Sequence, residues 1–196
     1  AQGKAYRVNL DDGSTRVIKS IFLHDDYDGS QQKRLENEMR VLRTLNHPGI
    51  VKCYGVDKQV LGIDDDEARY SVVYEDVQGQ SLDKLLEEND VEGESFDEAK
   101  VSHFLDYMLD VLGYLHGNNV LHRDIKPSNI LKGDHEKYTV IDFGTVKKIG
   151  QTTMTQEAGT FLGTLVYAAP EVMEGDHNNP ASDLYSLGVT LATLLR

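Results

Sequence analysis

The feature that most restricts this chain is one polar run and what flanks it. His122-Arg123-Asp124-Ile125-Lys126-Pro127-Ser128-Asn129 follows the apolar pair Val120-Leu121. Two β-rich runs come next, Ile130-Leu131 and Tyr138 to Ile141, in a pattern that predicts a hairpin. Asp142-Phe143-Gly144 stands directly at the end of the second run. An Asp placed shortly before an Asn, with a Lys between them, suits the handling of a phosphoryl group. One carboxylate orients a hydroxyl, one cation sits on the moving phosphate and one amide oxygen holds a metal. A carboxylate at a strand end followed by Gly can reach a metal bound to phosphates. Ala169-Pro170-Glu171 closes a segment of the length that a substrate-contacting loop needs.

Upstream, the pattern is strands around one helix. Val8-Asn9-Leu10 and Thr15 to Ile21, joined by Asp11-Asp12-Gly13, predict a hairpin. Leu35, Met39, Leu42 and Leu45 recur at helical spacing behind a Ser30 cap, and Asn46-His47-Pro48-Gly49 stops that helix. Ile50 to Tyr54 and Tyr70 to Tyr74 are short β-rich runs, with an acidic loop, Asp64 to Glu67, between them. From Ser81 the periodicity becomes helical. Ser95-Phe96-Asp97-Glu98 fits a capping box, and Val101, Phe104, Leu105, Met108, Leu109, Leu112 and Leu115 form a long stripe behind it. The change from strands to helices near Glu75 to Gly79 predicts two lobes, residues 1–77 and 78–196.

The chain has 196 residues and a formal charge of −13, so its overall field does not suit nucleic acid or an anionic membrane. Its single cysteine, Cys53, cannot form an internal disulfide, and no metal-ligand spacing of Cys and His is present. A reducing, intracellular setting follows as the expectation, cytoplasmic or nuclear. The longest near-apolar stretch, Leu187 to Leu195, is too short to span a bilayer.

Taken with Lys19 on the Arg16-Val17-Ile18-Lys19 strand and Glu38 on the next helix, these motifs in this order resemble the eukaryotic-type Ser/Thr protein kinase catalytic domain. There is a weaker likeness to NIMA-related and MAP-kinase-kinase-like groups. The resemblance implies an α+β, bilobal fold: a small β-rich N-lobe with one main helix and a mostly helical C-lobe. It implies ATP and Mg2+ as cofactors and a protein as substrate. Lys19 would hold the α- and β-phosphates, and Glu38 would pair with Lys19, Glu36 being the competing choice. Asp124 would orient or deprotonate the hydroxyl, and Lys126 would neutralise the γ-phosphate. Asn129 and Asp142 would bind Mg2+. Thr164 would tie the substrate loop to Asp124 and Lys126. Gly3 would belong to the phosphate-covering loop. Val8 and Val17 would lie above the adenine and Leu131 below it. Tyr74 would be the gatekeeper, Glu75 and Val77 would supply backbone contacts, and Ser81 would face the ribose. Lys126 points to Ser or Thr acceptors, and the β-branched Thr145 after Asp-Phe-Gly favours Thr. Thr160 would be the regulatory phosphorylation site, filled by an upstream kinase or in trans, with Arg123 capturing its phosphate.

The family's glycine loop is poorly matched: Ala1, Gly3 and Tyr6 stand where three glycines would, in a match that one residue's shift could change. A pseudokinase scaffold that binds partners without catalysis is therefore the alternative. The resemblance also makes the chain a piece of a longer kinase, truncated within the glycine loop and within the central helix of the C-lobe. On that expectation Leu184, Leu187, Leu191 and Leu195 present an exposed apolar face. His122, Phe143, Leu42 and Cys53 match a buried stack in the family, and Asp183 is expected to anchor the backbone near Asp124.

Overall fold

The computed structural model describes residues 4–23, 36, 39–60, 68–92, 96–143, 147–148, 165–174 and 179–195. The chain divides into two units, Ala1–Asn46 with Val51–Val77, and His47–Ile50 with Gln78–Arg196.

The first unit is a four-stranded antiparallel sheet in the order β1-β2-β4-β3, with β1 Lys4–Asn9, β2 Thr15–Leu23, β3 Cys53–Val60 and β4 Ala68–Glu75. A turn at Asp11-Asp12-Gly13 joins β1 to β2. Gly13 takes φ +81, and Asp12 accepts from the Ser14 amide at 2.9 Å and its hydroxyl at 2.6 Å. The register sets Ala5 opposite Lys19, Arg7 opposite Val17 and Val8 opposite Arg16. Val17 in turn faces Tyr74, and Lys19 faces Val72. Because side chains alternate along a strand, Tyr70, Val72 and Tyr74 share one face with Val17 and Lys19. All three are buried, as are Met39, Leu42 and Leu45 from the helical segment 39–42 and the turn behind it. The Tyr74 hydroxyl donates to Met39 Sδ at 3.9 Å.

The second unit is mainly helical, with α1 Leu82–Glu92, α2 Glu98–Gly117, α3 Pro170–Met173 and α4 Ala181–Leu194. Its short strands are β5 Gln80–Ser81, β6 Val120–Leu121, β7 Ile130–Lys132, β8 Tyr138–Val140 and β9 Lys147–Lys148. They pair as β5-β7-β8 and β6-β9. Helix α2 forms the core. Val101, Phe104, Met108, Val111, Leu112 and Leu115 are buried, whereas Leu109, expected in the same stripe, is exposed. The helix is capped by Asp97, whose carboxylate accepts from the Lys100 amide at 2.8 Å. A cap at Asp97 corrects the expected capping box, which would begin two residues earlier at Ser95, outside the described residues.

Residues 47–50 group with the second unit because their polar atoms are used there. The Val140 amide donates to the Gly49 carbonyl at 2.8 Å, and His47 Nε2 lies 3.0 Å from the Asp110 carboxylate. Gly49 N–H donates to His47 Nδ1 at 3.1 Å, which leaves Nε2–H to face Asp110.

Helix α4 departs from the expected apolar face. Leu187 and Leu194 are buried, but so are Ser182, Asp183, Ser186 and Thr190, while Leu184, Tyr185 and Leu195 are exposed. The buried hydroxyls are satisfied within the unit. Ser186 donates to the Ser182 and Tyr167 carbonyls and Thr190 to the Ser186 carbonyl. Among the described residues no helix is long and apolar enough to cross a membrane.

Candidate active site

The polar run of the second unit is built from a carboxylate far along the chain. Asp183, 1 % exposed, accepts from the His122 amide at 3.0 Å, the Arg123 amide at 2.7 Å and His116 Nε2 at 2.9 Å. Those contacts hold Arg123 at φ +70, a left-handed conformation that a long side chain rarely adopts. Asp183 thus anchors the loop, as expected. His116 is an addition that no local spacing signals, since it lies 67 residues from its partner.

Asp124 is placed by its neighbours. Its Oδ2 accepts from Lys126 Nζ at 2.8 Å and from Asn129 Nδ2 at 2.9 Å. Asn129 Nδ2 also donates to the Asp124 carbonyl at 2.8 Å. With both amide hydrogens directed at Asp124, the Asn129 Oδ1 is turned the other way and accepts no hydrogen bond among the described residues. The Asn129 carbonyl accepts from the Ile141 amide at 2.8 Å, extending the β7–β8 ladder past the Ile130–Val140 pair. Asp142, at φ +61, follows at once on the neighbouring strand end. Asp124, Lys126, Asn129 and Asp142 are therefore gathered on one short stretch of the second unit. Asn129 and Asp142 offer hard oxygen donors, which suit Mg2+ sharing its coordination with phosphate oxygens better than zinc or copper. Among the described residues no three Cys, His, Asp or Glu side chains form a metal cluster of their own.

His122 is fully buried and meets Phe143 edge-on, ring centroids 4.8 Å apart. Its Nδ1 accepts from the Asp124 amide at 3.3 Å. Burial pushes the imidazole pKa below its ordinary value, while Asp183, Asp124 and Asp142 pull it up less strongly. His122 thus acts as a neutral packing group. In the first unit Leu42 and Cys53 are buried, and burial raises the Cys53 thiol, which leaves it a core hydrophobe.

The nucleotide-binding candidates divide between the units. In the first, Lys19 and Val17 share a sheet face and Tyr74 lies in the same row as Val17. Val8 does not join them. It pairs with Arg16, so it stands on the opposite face, and the residue of β1 that shares Lys19's face opposite it is Ala5. The pairing of Val8 with Val17 over one ligand is thus corrected by the register: odd and even positions of one strand cannot serve one face. Glu75 is exposed and Val77 half-buried. In the second unit Ser81 pairs directly with Leu131 across β5 and β7. Glu36 is helical and exposed. Gly3, Glu38, Gly144, Thr145, Thr160 and Thr164 lie outside the described residues.

The Protein kinase domain model matches residues 1–196. Myosin light chain kinase A of Dictyostelium discoideum is 34% identical over 183 residues, 92% of this chain and 56% of the relative. Mitogen-activated protein kinase kinase kinase 3 of Arabidopsis thaliana is 30% identical over 197 residues, 97% of this chain and 29% of the relative. Serine/threonine-protein kinase F of Synechocystis is 37% identical over 127 residues, 64% of this chain and 25% of the relative. The chain thus spans about half the length of the first of these relatives and less than a third of the others. A match along the whole chain, joined to an α+β chain whose Asp124, Lys126, Asn129 and Asp142 converge on one strand end, shows that it belongs to the protein kinase domain family.

Proposed function

We propose that the chain is the catalytic part of a protein serine/threonine kinase, which transfers the γ-phosphate of ATP to Ser or Thr of protein substrates, with Thr favoured. The observation that carries this reading is the Asp124 carboxylate, held by both Lys126 and Asn129, with its side chain 12% exposed rather than sealed.

In this reading the substrate hydroxyl lies against Asp124, which orients it and takes its proton as the oxygen bonds to the γ-phosphorus. The bond from that phosphorus to the β–γ bridging oxygen breaks, and ADP leaves. Lys126 neutralises charge on the moving phosphoryl group. Asn129 Oδ1 and the Asp142 carboxylate would hold Mg2+, which when bound offsets the charge of the phosphates. Lys19 takes the α- and β-phosphates, with Glu38 as its partner, and Gly3 belongs to the loop over them. Val17 and Ala5 serve the base from above and Leu131 from below. Tyr74 limits the space behind the base, the Glu75 and Val77 backbones bind its edge, and Ser81 faces the ribose. Thr164 links the substrate loop to Asp124 and Lys126. Thr160 is the proposed regulatory phosphosite, with Arg123 as the group that receives its phosphate.

Protein acceptors agree with the names of the relatives, which include a myosin light chain kinase and a mitogen-activated protein kinase kinase kinase. The scaffold reading has less support, because Lys19, Asp124, Asn129 and Asp142 are all present. The test is transfer of labelled γ-phosphate from ATP to a mixed protein acceptor. Label is expected on Thr and Ser, to vanish with EDTA, and to fall by about a thousandfold or more in Lys19→Met and Asp142→Asn. Undiminished transfer in Asp142→Asn would refute the assignment.

A further inference from the structure

Arg7 and Asp76 lie 69 residues apart in the sequence and meet in the first unit. Arg7 is on β1, and Asp76 is the first residue beyond β4. These strands are not neighbours, because β2 runs between them. Strands two apart in a sheet are separated by roughly 10 Å, so the Arg7 side chain reaches Asp76 by lying across β2. Its Nε and Nη2 both come within 3.0 Å of Asp76 Oδ1.

The burial of the pair is lopsided. The Arg7 side chain is 63% exposed and the Asp76 side chain 3%. An ion pair between two exposed groups contributes little, but a carboxylate withdrawn from water must be met by donors. A guanidinium meets it with a rigid fork of N–H groups, which fixes direction as well as charge. The pair therefore constrains Asp76 more than it constrains Arg7.

Asp76 sits between Glu75 and Val77, the residues whose backbone groups the proposed function gives to the base of ATP. Fixing the Asp76 side chain limits the dihedral angles on both sides of it, and with them the directions of the Glu75 carbonyl and the Val77 amide. We propose that Arg7 and Asp76 form a staple across β2 that presets this connector for the base, which makes Arg7 a positioning residue for nucleotide affinity. The proposal rests on the reading of residues 75–77 as the base-binding segment. It separates affinity from chemistry: neither residue of the staple has a part in the proposed transfer step, so its loss should appear in KM rather than kcat.

The test compares wild type, Arg7→Lys and Arg7→Ala in two measurements. The first is amide hydrogen exchange at Asp76 and Val77 without nucleotide; the second is steady-state transfer with varied ATP. In Arg7→Ala, exchange at these amides is expected to quicken about tenfold and KM for ATP to rise about fivefold, with kcat within about twofold of wild type. Arg7→Lys, which keeps the charge and loses the fork, is expected to fall between the two. A lowered melting temperature with unchanged connector exchange and unchanged KM would show a merely structural pair and overturn the proposal. Faster exchange with unchanged KM in an active protein would overturn it too. Failure of the proposed function is recognised separately, because wild-type protein would then neither bind nor turn over ATP before any variant is compared.

Discussion

From Val120 to Phe143 the chemistry-bearing residues are fixed by polar contacts that each serve several groups. One carboxylate, Asp183, holds two consecutive backbone amides and a histidine, while one amide, Asn129, holds Asp124 by both its carbonyl and its carboxylate. In the sheet of the first unit, Lys19, Val17 and Tyr74 owe their common face to strand register. The difference teaches how each region fails. A shared anchor, once removed, releases several groups together, whereas a strand position can be exchanged one residue at a time with its neighbours still held by the ladder.

The largest effect is expected at Asp183, the shared anchor. Asp183→Ala leaves three donors without their acceptor where water hardly reaches, and is expected to cost about 3–5 kcal/mol in denaturant unfolding and to abolish transfer. A loss under about 1 kcal/mol would mean that the loop is held by its other contacts. Next comes Gly79, which sits at φ +153 in the second unit, just before β5, and whose added Cβ would lie 2.6 Å from the Lys132 carbonyl oxygen. Gly79→Ala is expected to cost about 2–3 kcal/mol, read by the same unfolding curve. If the cost is negligible, the β5–β7 pairing is looser than its register implies.

The buried His122 beside that anchor makes stability depend on pH. His122 is kept neutral in the fold because burial lowers its pKa from the ordinary 6.5. The unfolded chain takes up that proton below about pH 6.5 and the folded chain resists it, so the His122 contribution is complete above that pH and falls away below it. The difference in stability between wild type and His122→Phe is expected to tilt against wild type by at most about 1.4 kcal/mol per pH unit on the acid side. A difference independent of pH would show that His122 keeps its ordinary pKa. The smallest effect separates two positions of β1. Val8→Ala is expected to change KM for ATP less than about twofold, while Ala5→Leu raises it about tenfold. The reverse order would reinstate Val8 over the base.

These cases also mark what the sequence makes legible. Asp124, Lys126, Asn129 and Asp142 are readable because their chemistry and spacing are local, and the hairpin from Ile130 to Val140 brings them together. The boundary between strands and helices near Val77 shows in the periodicity for the same reason. The partners of Asp183 and the Arg7–Asp76 pair bridge sixty residues or more, and no periodicity carries such distances. The side of β1 that faces Lys19 depends on a register that the Asp11-Asp12-Gly13 turn sets, and a shift of one residue reverses it. In α4 a buried face built of Ser182, Ser186 and Thr190 escapes a search for apolar stripes, because the Ser186 and Thr190 hydroxyls bond back to the helix and the Ser182 hydroxyl donates to Glu171, so all three are buried at little cost.

In the proposed reaction the Asp124 carboxylate, held by Lys126 and Asn129, directs an acceptor hydroxyl at a phosphoryl group. Single-turnover phosphate transfer by Asp124→Asn, measured beside Mg2+-dependent stabilisation by ATP in the same protein, tests that role most directly. In Asp124→Asn, ATP is expected still to raise the melting temperature as in wild type while transfer slows by about a thousandfold or more. Transfer at the wild-type rate in Asp124→Asn would contradict that role.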